Sequence, residues 1–133
     1  MTKTIHAITL GLLLNAGSAF GLTIEAEVDG PMLKQDSVVK LVSERLGGSV
    51  ATVPDGGKHR LRVRVTSKFS ERDVYLYMVD FQLQRRVTDC DTGRIYWAST
   101  RSGSSWGNVP SETELRQIIG ELVERKVNVW PVE

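Results

Sequence analysis

Apolar and polar residues alternate singly from Leu22 to Asp29: Leu22, Ile24, Ala26 and Val28 stand between Thr23, Glu25, Glu27 and Asp29. A period of two places the aliphatic set on one side of an extended chain and the acids on the other, which predicts a half-buried strand. Asp29-Gly30-Pro31 breaks the pattern. Between Met32 and Leu46 the period lengthens. Val38, Leu41, Val42 and Leu46 share one helical face, and Gly47-Gly48 follow where a helix terminus takes a residue tolerant of positive φ. Ser49 to Val53 reads as a short strand ahead of a turn at Pro54-Asp55-Gly56-Gly57.

Single alternation then resumes. Leu61, Val63 and Val65 are separated by Arg60, Arg62, Arg64 and Thr66, so a second strand buries one face and solvates the other. Ser70-Glu71-Arg72-Asp73 turns the chain into a longer strand with Tyr75, Tyr77, Val79, Phe81, Leu83 and Val87 on one face. Val74, Leu76 and Met78 make the first half of that strand apolar on its other face too, which predicts a central segment covered on both sides. Thr88 to Gly93, with Asp91-Thr92-Gly93 at the tip, leads into Ile95, Tyr96 and Trp97 as the start of a third strand. Arg101 to Asn108, rich in Ser and Gly, reads as a mobile loop. Ser111 and Glu114 have the spacing of a capping box, and Leu115, Ile118, Ile119, Leu122 and Val123 trace one stripe of a helix ending near Val127. The expected fold class is α+β: a single-layer, mostly antiparallel sheet in the order strand, helix, strand, three-stranded meander, helix, with two helices packed on one face.

The first nineteen residues depart from these patterns. Lys3 precedes an apolar run from Ile5 to Leu14, and small residues follow at Gly17 and Ala19, as in a secretory signal peptide. A run of about ten residues is too short to span a bilayer as a helix. Residues 1–19 are therefore expected to be cleaved near Ala19, leaving residues 20–133 as a single α/β domain, periplasmic or secreted. Phe20 rather than a cysteine follows the cleavage site, so no lipid anchor is expected. Losing Lys3 takes the basic count from 17 to 16 against 16 acids, a net charge of zero. Domains that hold nucleic acid through bulk electrostatics carry a basic excess, so nucleic acid is not an expected partner.

Candidate chemistry is sparse. His59 lies in the polar run Gly57-Lys58-His59-Arg60 and is the one histidine after residue 19. One histidine flanked by cations forms neither a zinc cluster nor the base of a nucleophile, so no metal, no cofactor and no catalytic residue is expected, and the chain does not read as an enzyme. Asp89 and Asp91 flank Cys90 without the residue run of a calcium loop, and hairpin-turn chemistry accounts for them. Two neighbouring acids disfavour a thiolate at Cys90, which leaves a tolerated loop residue or an intermolecular disulfide in a homo-oligomer. Arg60, Arg62 and Arg64 project from one face of one strand, and Arg86 joins them from a neighbouring strand. They form either a solvated sheet face or a recognition face for an anionic partner such as lipopolysaccharide, an acidic glycan or an acidic protein patch. Among Trp97, Trp106 and Trp130, Trp97 reads as core, and Trp106 in the Ser/Gly stretch as the contact residue.

The strand from Phe81 to Thr88, the run Asp89-Cys90-Asp91-Thr92-Gly93-Arg94-Ile95-Tyr96-Trp97 and the surrounding element order resemble a group of bacterial envelope domains. These are the lipoprotein activators of penicillin-binding proteins, the curli secretion lipoprotein and the N-terminal domain of TolB. The resemblance implies a small domain that binds envelope proteins and performs no reaction. The expected function is thus that of an exported envelope accessory or assembly protein acting by protein-protein binding. The alternative is a periplasmic binding module for an anionic ligand such as a glycan or lipopolysaccharide, with Arg60, Arg62, Arg64, Arg86 and Trp106 as candidate contacts.

Overall fold

The computed structural model describes residues 2–4, 22–51, 58–71 and 73–131. The apolar run of the expected export signal and the expected turn at residues 54–57 lie outside them. Five strands form one mixed sheet in the order β1-β2-β3-β4-β5. They are β1 (Thr2–Thr4), β2 (Thr23–Asp29), β3 (His59–Phe69), β4 (Tyr75–Thr88) and β5 (Ile95–Val109). Helix α1 (Gln35–Arg45) and the single turn α2 (Gly48–Ala51) separate β2 from β3. Helix α3 (Glu112–Arg125) and a 3-10 turn (Val127–Val129) follow β5.

The sheet is mostly antiparallel, as the alternation predicts. β2 and β3 are its parallel pair, with Glu25 opposite Arg62 and Glu27 opposite Arg64, because the helical crossover between them returns the chain in the same direction. β3, β4 and β5 are the expected meander. β1 pairs antiparallel with β2, setting Thr4 opposite Glu27; in a chain cut after Ala19 this strand is removed with the signal.

Both helices cover the same sheet face. Val38, Val39 and Val42 of α1 and Leu115, Ile119 and Val123 of α3 join Ile24, Ala26, Leu61, Val63, Val65, Val79, Phe81 and Leu83 in one core. The capping box forms as its spacing requires: the Ser111 hydroxyl accepts from the Glu114 N–H at 3.3 Å. Gly30 adopts φ +116° with its α-carbon against β3, where a side-chain carbon would lie 2.0 Å from the Ser67 carbonyl oxygen. Only glycine fits that turn.

Three expectations change. Ser49 to Val53 does not begin as a strand: Gly48–Ala51 is a helical turn with Val50 fully buried. Asn128 holds this corner, its side-chain oxygen accepting the Gly47 N–H at 2.8 Å and its amide donating to the Arg45 carbonyl at 2.9 Å. Arg101 to Asn108 is not a loop but the second half of β5, paired with β4 from Leu83–Arg101 to Leu76–Asn108. Gly103 and Gly107 are compatible with a strand because Trp130 and Tyr77 lie over them, the nearest ring carbon 3.4 Å from where each Cβ would stand. Finally, the first half of β4 is covered on one side only, since Leu76 and Met78 remain 47% and 48% exposed on the face that carries no helix.

Candidate functional site

The face opposite the helices collects nearly every residue singled out for function. Strand alternation and register bring to it Glu25 and Glu27 from β2, Arg60, Arg62 and Arg64 from β3, Leu76, Met78, Gln82, Gln84 and Arg86 from β4, and Trp97 and Trp106 from β5. A Ser/Gly strand and an arginine strand distant in sequence thus share one open surface.

Its first half is a charge ladder. Arg60 contacts Glu25 at 3.1 Å, Arg62 contacts Glu27 at 2.9 Å, and Glu27 also takes Arg64 at 3.4 Å. The arginines alternate with buried valines on β3, and the acids alternate with buried aliphatics on β2. Parallel pairing sets the two polar rows side by side. Arg60 is further held by the Gln84 side-chain oxygen at 2.6 Å, and its guanidinium lies 4.5 Å from the Trp97 ring centre. Burial lowers the Arg60 pKa, with Glu25 acting in the opposite direction and Arg62 in the same one. Gln84, itself buried, passes the network on to Gln82 at 3.2 Å and Ser99 at 3.4 Å. Trp97 is therefore not a core residue. It caps Arg60 on the open face and is half-buried there.

The other half is apolar. Met78 pairs with Trp106 and Leu76 with Asn108, and together with Thr66 and Lys68 they line a shallow groove of about 470 Å³. Trp106 is 80% exposed, more than any other large apolar side chain among the described residues. The arginine alternation signalled the ladder face in the sequence, but its neutralisation by β2 carries no local signal. Leu76 and Met78 were legible as apolar positions, and their lack of cover was not.

The remaining candidates stand apart. Arg86 is exposed on the same face and makes no ion pair with a described residue. Cys90 is exposed at the β4–β5 hairpin tip. Asp89 organises that tip, its carboxylate accepting the Asp91 and Thr92 N–H groups at 2.8 and 3.3 Å, as expected of turn chemistry. His59 is buried at the start of β3. Among the described residues no three His, Cys, Asp or Glu side chains converge to hold a metal ion, and no helix is long and apolar enough to cross a membrane. Comparison of the chain with protein-family models, with curated proteins and with solved structures found no match.

Proposed function

We propose that this protein is an exported envelope accessory or assembly factor that works by binding protein partners through the open face of its sheet. The observation that carries this reading is the contiguous exposure of Leu76, Met78 and Trp106 on a strand-built surface. Exposed apolar clusters rimmed by polar groups are characteristic of interaction sites, and tryptophan is enriched among residues that dominate binding energy. The neighbouring arginine ladder supports a protein partner over a polyanion, because Arg60 and Arg62 are already engaged by Glu25 and Glu27. A guanidinium whose charge a neighbouring carboxylate already offsets attracts a further anion less strongly. Export rests on the N-terminal pattern, and the envelope setting on the resemblance of the β4–β5 hairpin.

A second reading keeps Trp106 as a platform for a glycan. It is favoured by the exposure of the indole with Asn108 and Ser104 on the same face. One experiment separates the two. Tagged protein purified from its native compartment is compared with Trp106→Ala and Leu76→Ser variants. The protein-binding reading expects a stoichiometric protein that co-purifies with the wild type and is lost from both variants, and mass spectrometry expects an N-terminus near Phe20. Retention on an immobilised glycan without such a protein would favour the second reading. A partner lost only when Arg60, Arg62 and Arg64 are changed to Ser would overturn the assignment to the apolar half.

A further inference from the structure

We propose that β5 is a self-pairing edge, and that two copies of this chain join β5 to β5 antiparallel about a two-fold axis at Ser102, fusing their sheets into one. This inference does not rest on where the protein acts or on which other partner it binds.

Among the described residues β5 ends the sheet with β4 as its one neighbour, so one row of its backbone N–H and C=O groups faces away from β4. It is 15 residues long, which at about 3.4 Å per residue is an open edge of roughly 50 Å. Sheet edges are ordinarily blunted by short strands, charged side chains, prolines, β-bulges or a covering element. The opposite edge of this sheet follows that practice: β1 is only three residues long. β5 contains neither proline nor lysine, and Arg101 is its one charged residue. Its single irregularity is the bulge opposite Leu83/Gln84, which falls at Thr100.

The sequence of β5 is complementary to itself. The bulge moves the open-face positions from even numbers (Ser102, Ser104, Trp106) to odd ones (Trp97, Ser99), as their pairing with Gln82, Asp80, Met78, Arg86 and Gln84 shows. Counting positions by that register and folding the strand back on itself at Ser102 pairs nearly its whole length. On the open face Trp106 then meets Trp97 of the second copy, Ser104 meets Ser99, and Ser102 meets itself. On the helix side Tyr96 meets Gly107 beside the Tyr77 ring, and Arg101 meets Gly103. Trp97–Trp106 is an aromatic pair and Ser99–Ser104 a hydroxyl pair, both of kinds that favour neighbouring strands. Moving the register one pair in one direction sets Arg101 against its own copy. Moving it the other way sets Trp106 against Ser99 and separates the aromatic pairs. An isologous interface needs such a self-complementary patch, and this one sets Trp97 of the second copy beside the most exposed indole of the molecule without covering its outer face.

The test uses purified protein and substitutions at Ser102, an exposed side chain on the axis. Sedimentation equilibrium across the micromolar range is expected to show a dimer for the wild type. Ser102→Glu and Ser102→Lys each place like charges directly opposite one another and are expected to sediment as monomers with unchanged circular dichroism. An equimolar mixture of the two is expected to recover the dimer, because opposite charges then face across the axis. In a Cys90→Ser background, Ser102→Cys is expected to cross-link two chains under mild oxidation, and this readout decides the matter should the charged variants misfold. A wild type that is monomeric throughout the range, or charged variants that both remain dimeric, would overturn the proposal.

Discussion

Ile119 is the sharpest probe of how α3 holds the sheet. Its side chain is fully buried, on the stripe that Leu115 begins and Val123 continues. Truncation to Ala removes Cγ1, Cγ2 and Cδ1, and at ~0.8 kcal/mol per buried methylene the lost transfer free energy is about 2.4 kcal/mol. The cavity left behind adds to this, because the structure around a fully buried side chain relaxes only partially. The total is then about 3–4 kcal/mol, within the range measured for such truncations. A domain of this size has a stability of roughly 5–15 kcal/mol, so the variant should fold with much of its margin gone. Urea unfolding followed by tryptophan fluorescence and circular dichroism gives the number. With an m-value near 2 kcal/mol/M the midpoint should fall by roughly 1.5–2 M. Ile118→Ala, one position off the buried stripe and only partly buried, is the internal control and should cost less than half as much. A loss below about 1 kcal/mol for Ile119→Ala at unchanged m would refute the packing argument, since no fully buried branched side chain should be that dispensable.

Further outcomes follow from individual contacts. Ser111→Ala removes the acceptor for the Glu114 N–H and should lower stability by about 1 kcal/mol in the same urea assay, leaving the fold intact. Gly30→Ala forces a side chain into left-handed backbone against the Ser67 carbonyl. It should cost at least ~1–3 kcal/mol, and a melting curve superimposable on wild type would contradict the close approach of that turn to β3.

Local patterning determined most of the layers. The alternation of Leu22 to Val28 and of Leu61 to Val65 decided which side chains enter the core, since a strand has only two faces and only one of these rows is apolar. The stripe from Leu115 to Val123 and the Ser111–Glu114 spacing set the place and start of the last helix, because capping and helical period act within a few residues. What lay beyond reach depended on neighbours remote in sequence. Ser102 to Gly107 has the composition of a loop, and it is a strand because β4 supplies its hydrogen bonds and Tyr77 and Trp130 fill the space above its glycines. Arg60, Arg62 and Arg64 looked like free cations until the parallel register of β2 set Glu25 and Glu27 beside them. Leu76 and Met78 are apolar in any reading, but whether a second layer covers them is decided by where both helices go, and here they go to the same face. Hydrophobicity of a residue is a local property, whereas its exposure is a property of the assembled layers, and the candidate site of this protein lies in that difference.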